Sequence, residues 1–379
     1  FFVHKKLRHV SEHQKCLSFA SCLSNWHGTN FKIVRIIGGI VTIVFLGVYA
    51  GAQLKAGSKA LNVMFEWQEY VGAIIGAVIV LLYCFSGGIR ASIWTDAAQS
   101  FVMAIAMVLL FVYGVVEVGG FSNFVNELDK VSPTFLSLYI DESKSVLKVV
   151  LFVLGWVFAG FGVAGQPHIM VRFMAVDDSE NMRKVRIYYY SWFLSFFVLT
   201  VGVGLVAKLL LTQTGAFDAE LALPFLSLKL LPSILVGLVL AGLFAATMST
   251  ADSQILSCSA SLTNDIFTKA KSNYLITKLG TVLMVAIALL IALFGSNSVF
   301  ALVLIAWAFL SCTFVPLIVV YCLNGKPSEF TALAMMFIGV GVMFIWKSLG
   351  LDSIIYEVAP GVLAGFATYL VTLPFAKKS

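Results

Sequence analysis

The sequence predicts an all-α, polytopic membrane protein, and three observations carry that prediction. Of the 379 residues, 60% are hydrophobic and 12% charged, with a mean hydropathy of +0.96. A soluble domain carries about 25% charged residues. Ten apolar runs succeed one another along the chain, most of them near the ~20 residues that a bilayer crossing needs. The basic residues collect in the loops between runs, so the net charge of +6 points to membrane topology and not to a nucleic-acid partner.

Residues 1–32 read as a basic, cytoplasmic segment. A start at Phe1 instead of Met leads to the expectation of a trimmed N-terminus, and no signal peptide is visible. His4, His9, His13 and Cys16 have no zinc spacing, so a solvated loop is expected there and not a metal site. The six cysteines show no paired spacing, and no disulfide is expected. The apolar runs predict helices at about 33–54, 71–85, 94–116, 146–165, 187–211, 233–263, 275–294, 299–323, 331–349 and 355–375, all in one transmembrane domain covering 1–379. Ser86-Gly87-Gly88-Ile89-Arg90 reads as a tight turn between the second and third. A polar loop with Pro133 and the acidic pair Asp141–Glu142 comes after the third. The stretch 212–231, with Pro224, is expected to hold a short amphipathic segment.

Ten alternating spans sort the loops onto two sides. One side carries 17 of the 25 Lys and Arg, including Lys326 and Lys377–Lys378; the other carries 8, together with 11 of the 19 Asp and Glu. The basic excess marks the cytoplasmic side and places both termini of the chain there.

Two runs carry polar chemistry. The fourth holds Gly155, Gly160, Gly162 and Gly165 ahead of Gln166-Pro167-His168. Such an interruption is tolerated in a membrane where bared backbone lines a cavity or is buried in protein, as at the unwound helices of transporters. The alternative is close helix packing through the glycines. The sixth run turns polar without breaking: Ala246, Thr250, Ser253, Ser257, Ser261 and Asn264 recur at steps of four, three, four, four and three, which puts them on one helix face. That stripe is either interhelical glue or an oxygen-lined ion path. Met248, Ala251, Ile255, Leu262 and Ile266 occupy the opposite face. Asp252 favours the ion path, because a carboxylate at this depth costs about 2.5–3.5 kcal/mol unless it faces a cavity or a partner.

Taken together, Ser86–Gln99 (SGGIRASIWTDAAQ), Gly165–Ala175 (GQPHIMVRFMA), Ala245–Asp265 (AATMSTADSQILSCSASLTND), Ala306–Pro316 and Ile345–Gly361 resemble, in order, the sodium/solute symporter family, most of all its sodium/proline branch. The resemblance covers essentially the whole chain. It implies the LeuT-type fold, thirteen helices of which ten form two inverted five-helix repeats. Ten of the thirteen would be present and the first three missing, among them a broken helix that supplies part of the principal sodium and substrate sites. By position, Ala246 would give a carbonyl, and Ser249 and Thr250 hydroxyls, to the principal sodium. Asp96 matches an acidic residue tied to sodium coupling, which in some members joins positions equivalent to Asp252 and Ser253 to hold a further sodium. Read from the residues alone, Asp96 could equally be a helix-start carboxylate stabilised by the helix dipole.

Substrate residues carry over in part. Tyr49 and Pro167 match residues lining the proline pocket, with Gln166 beside Pro167. Two aromatic positions of proline-specific members are Ala159 and Val163 here, which leaves Trp156 or Phe161 as candidate replacement walls. The resemblance implies a transporter and not an enzyme: a plasma (cell inner) membrane symporter for sodium and proline or a related small amino acid or zwitterion, with no cofactor besides the coupling ion and with the lipid bilayer as its surroundings. The competing readings are the transporter-like input domain of a membrane sensor and a non-functional symporter fragment. The end at Lys377-Lys378-Ser379, without a soluble module, disfavours the sensor.

Overall fold

The computed structural model describes residues 2–139, 144–211, 218–268 and 273–375. The acidic pair Asp141–Glu142 and the terminal lysines lie outside the described residues. Among those described, eight helical segments are long and apolar enough to cross a membrane, and Glu69–Phe85 and Val358–Thr372 are shorter apolar helices.

The chain opens with two short helices, α1 (Phe2–His13) and α2 (Phe19–Ser24). The expected solvated loop is corrected in part: the segment is helical with one buried face, while His9 and His13 remain exposed. Leu7, Phe19, Cys22 and Ser24 are buried, and the His4 ring lies 4.0 Å from that of Phe173. Burial pushes the His4 imidazole down to about 4. The basic residues of this segment alternate with apolar ones at helical spacing, and the apolar face found a partner.

Helix α3 (Lys32–Phe65) runs a full three turns past the expected end. Its first amides Ile33 and Val34 donate to the Glu329 carboxylate, a favourable charge at a helix N-terminus. Helix α4 (Glu69–Glu117) replaces the expected Ser86–Arg90 turn with a single kink at Gly88, φ 59° and ψ −155°. Only glycine takes that conformation without a steric cost, so the direction changes within one residue and the second limb starts at once. After α5 (Phe121–Asp129), α6 (Val146–Phe161) tightens into a 3₁₀ turn at Gly162–Gly165, breaks at the extended Gln166, and restarts as α7 (Pro167–Met174). Proline at the first helical position has no amide to satisfy. Helices α8 (Met182–Leu211) and α9 (Ala222–Leu230) come next; α9 is a short helix within 212–231, but its sequence ALPFLSLKL is apolar nearly all round and not amphipathic as expected.

Helix α10 (Ser233–Ser261), extended by a π turn at Leu262–Ile266, sits against α3, α4 and α11 (Tyr274–Phe294). Its hydroxyls let a polar sequence stay helical, because Thr247, Thr250, Ser253, Ser257 and Thr263 donate back to carbonyls four residues earlier. The apolar face of Met248, Ala251 and Ile255 is buried, so it packs against helices and not lipid. Helices α12 (Val299–Cys322), α13 (Glu329–Ser348) and α14 (Val358–Thr372) close the other side. Phe19 against Phe314 and Trp26 stacked on Tyr321 tie α2 and its following loop to α12.

Candidate ion and substrate site

On α10, the hydroxyls of Ser249 and Thr250 lie 3.3 and 3.0 Å from the Ala246 carbonyl oxygen. The three oxygens converge as the helix repeat requires, and all three residues are half-buried. The spare lone pairs form a small neutral oxygen set, suited to a hard monovalent cation that must also be released.

One turn further on lies a charged cluster. Asp252 is 2% exposed; its Oδ1 accepts from the hydroxyls of Ser92 (3.1 Å) and Ser253 (2.9 Å). The single Ser253 hydroxyl proton is shared between Asp252 and the Ser249 carbonyl at 2.7 Å, which ties the cluster to the backbone of the residue whose hydroxyl belongs to the neutral oxygen set. Asp96 lies about two turns past the Gly88 kink and pairs with Arg172 of α7. It is therefore not a helix-start carboxylate. The same Arg172 nitrogen bonds the Ser253 hydroxyl, and reaches that of Ser92 at 3.3 Å. Asp96, Ser253 and, through the two hydroxyls, Asp252 thus gather around one guanidinium. Ser92, Arg172, Ser253, His168 and Ser257 line a cavity of about 360 Å³.

The substrate candidates fall around the α6–α7 break. Tyr49 of α3 meets His168 edge-on, with ring centroids 5.7 Å apart, next to Pro167. Gln166 is fully buried. Its Nε2 faces the Gly162 and Trp307 carbonyls and the Ser311 hydroxyl at 3.3–3.4 Å, while its Oε1 is buried with no protein hydrogen bond. Ala159 is buried and Val163 half-buried. Neither proposed replacement wall stands there. Trp156 is 45% and Phe161 61% exposed, and Trp156 stacks on Tyr356. Instead Trp307 of α12 comes across, its indole N–H donating to the Ala159 carbonyl at 2.9 Å.

At the other end of α3, Lys59 pairs with Asp218 (2.7 Å) and Glu220 (2.6 Å). Glu220 also accepts from the first amides of α12, Val299 and Phe300, and from Ser298. Desolvation raises the Glu220 carboxyl, but these donors outweigh it and hold it down to about 2.

Sequence reasoning missed Arg172, Ser92, Trp307 and Ser311. Arg172 had a legible signal, since it is a lone cation in an apolar stretch, which needs a partner at membrane depth. Trp307 had none: its role comes from α12 crossing α6.

A membrane helix bundle with a broken helix facing a hydroxyl-rich one defines a secondary-transporter architecture. Known proteins agree. The sodium:solute symporter family matches residues 1–339, and the chain belongs to that family of sodium-coupled symporters. It is 29% identical to a high-affinity proline transporter of Bacillus subtilis over 96% of this chain and 78% of the relative. It is 30% identical to the sodium/proline symporter of Escherichia coli over 88% of this chain and 68% of the relative. Among solved structures, a Na+-coupled sialic acid symporter in a substrate-bound outward-open state superposes with a TM-score of 0.81 at 15% identity, covering 99% of this chain and 83% of that one. That likeness shows the LeuT-type fold.

Proposed function

We propose that this protein is a multi-pass plasma (cell inner) membrane symporter in which sodium drives uptake of proline or a related small amino acid, residues 1–379 acting as one transmembrane transporter domain. The observation that carries the reading is the convergence of the Ala246 carbonyl with the Ser249 and Thr250 hydroxyls on α10, beside a helix broken at Gln166. Those oxygens hold the principal sodium. Asp96, Asp252 and Ser253 form the coupling cluster, with the Arg172 guanidinium as its cation. A tethered cation at that position competes with a second free sodium for the same oxygens. Ser253, bonded to the Ser249 carbonyl, ties the cluster to a residue whose hydroxyl belongs to the principal site.

The solute lies against Tyr49, Ala159, Val163, Gln166 and Pro167. The unsatisfied Gln166 Oε1 accepts from a substrate N–H, because a buried carbonyl left unpaired costs about 1–3 kcal/mol. The relatives named as proline transporters support proline, and the small side chains at 159 and 163 favour a wider range, unless Trp307 restores the wall. The test is sodium-driven uptake by the full-length protein, competed by a panel of amino acids and organic acids. Inhibition by several small amino acids is expected, and strict selectivity for proline would show that Trp307 closes the pocket. Failure of a sodium gradient to drive any uptake would overturn the reading. The basic-loop excess supports a cytoplasmic location for both ends of residues 1–379. A cysteine introduced near Lys184 should then label only in permeabilised cells, and one near Asp141 from outside.

A further inference from the structure

Four full cations and one histidine face one another across a cleft between α1 and the start of α8. Lys5 and His9, four residues apart, share one face of α1 with Lys6 beside it, and Arg183 and Arg186 stand three apart on α8. The cleft they line has a volume of about 700 Å³, and among the described residues lining it Glu180 is the single carboxylate. Glu180 is held at 2.6 Å by Lys5, and Lys6 leans away to the Cys322 carbonyl at the end of α12. The walls are fixed: Arg8 bonds the Val176 and Asp177 carbonyls, stapling α1 to the segment that leads into α8. Arg183 and Arg186 are exposed.

The residues after Arg186 set the depth of this cleft. Ile187, Tyr188, Tyr189, Tyr190, Trp192 and Phe193 are all exposed on α8. Such a cluster of tyrosine and tryptophan marks the boundary between hydrocarbon and headgroups, so the arginines one turn earlier stand at headgroup level. Phe2, 57% exposed, borders the cleft and offers an apolar contact for an acyl chain.

We propose that this cleft is a binding site for the headgroup of an anionic phospholipid. Arg183 and Arg186 take the phosphate through their forked donors, and Lys5 and His9 lie across from it. Basic pockets between helices at the headgroup level are the kind of site that holds such lipids. The aromatic band and Phe2 commit the site to a lipid and not to a free anion. The cleft is independent of which solute is carried.

The test is native mass spectrometry of the full-length protein with phosphatidylglycerol or phosphatidylcholine added at equal concentration. The wild type should retain phosphatidylglycerol about tenfold more than phosphatidylcholine. The R183Q/R186Q double variant should lose most of that preference, and E180Q should increase it. Inorganic phosphate at millimolar concentration should not displace the lipid; displacement would mean a free-anion site and overturn the assignment. Equal retention of the two lipids by the wild type, or an unchanged preference in both R183Q/R186Q and a second variant, K5Q, would also overturn it. Both variants change exposed side chains, and their melting temperatures in phosphatidylcholine nanodiscs should match the wild type, so a lost preference reads as lost binding.

Discussion

Replacing Arg172 by glutamine tests the coupling cluster most directly. The guanidinium pairs with Asp96 and donates to Ser253 and Ser92, and the two ionic side chains are 29% and 15% exposed. Removing one partner of a buried pair costs about 3–5 kcal/mol, because the other charge stays buried and uncompensated. The partial exposure of Arg172 puts this site at the low end, about 3 kcal/mol. Glutamine can keep one hydroxyl hydrogen bond, which returns about 1 kcal/mol. The expected net loss is about 2 kcal/mol, read as a fall in the melting temperature of the purified full-length protein. Asp96→Asn alone should also destabilise, by stranding the guanidinium. The double variant R172Q/D96N should then be less destabilised than the sum of the two by about 1–2 kcal/mol, within the range seen for directly contacting residues. In uptake assays, R172Q and D96N should each change the sodium concentration for half-maximal rate. Additivity within about 0.5 kcal/mol, the behaviour of independent sites, together with unchanged sodium dependence in D96N, would refute the cluster.

Three further outcomes are expected. Thr250→Ala removes one of three converging oxygens and should raise half-saturating sodium about tenfold, equivalent to ~1.4 kcal/mol, with little change in solute affinity at saturating sodium; an equal loss of both would remove Thr250 from the ion set. Gly162→Ala drives a Cβ into the Ser311 hydroxyl and to 2.7 Å from the Trp307 indole nitrogen, an overpacking worth about 1–3 kcal/mol that should lower both melting temperature and uptake. Gly160→Ala, which meets nothing within 4 Å, should be neutral or gain about 0.5–1 kcal/mol from helix propensity; similar effects at both positions would show that the 3₁₀ turn is not the close contact. Glu220 is held down to about 2 from an ordinary 4.5. A depressed carboxyl contributes stability that is complete above its unfolded value and is lost as pH falls towards its folded one. Melting temperature should therefore fall between pH 4.5 and about 2, whereas E220Q should start lower at neutral pH and show a smaller acid-dependent drop.

The sequence by itself determined the class and most of the helical register. Runs of apolar residues near bilayer length leave a chain no alternative to helices, because unsatisfied backbone is intolerable in hydrocarbon. The break at Gln166-Pro167 and the face shared by Ala246, Thr250 and Ser253 were equally legible, since both are local: one comes from glycine and proline chemistry, the other from the 3.6-residue repeat. Tertiary structure decided everything that depends on which helices touch. That one face of residues 2–24 is buried, with Leu7, Phe19 and Cys22 in the core while Phe2, Lys5, His9 and His13 stay exposed, was settled by α12 and α7 offering apolar partners. Trp156 and Phe161 lie off the buried face of α6 and its 3₁₀ turn, which Gly155, Ala159 and Gly162 form, and the side chain that meets that face is Trp307 of α12, 148 residues along the chain from the Ala159 carbonyl. Asp96 left the helix start because one glycine, at φ 59°, absorbed the whole turn expected over five residues. And the cation between Asp96 and Ser253 is an arginine from a third helix: spacing along one chain segment fixes which oxygens share a face, but not which charge another segment brings to them.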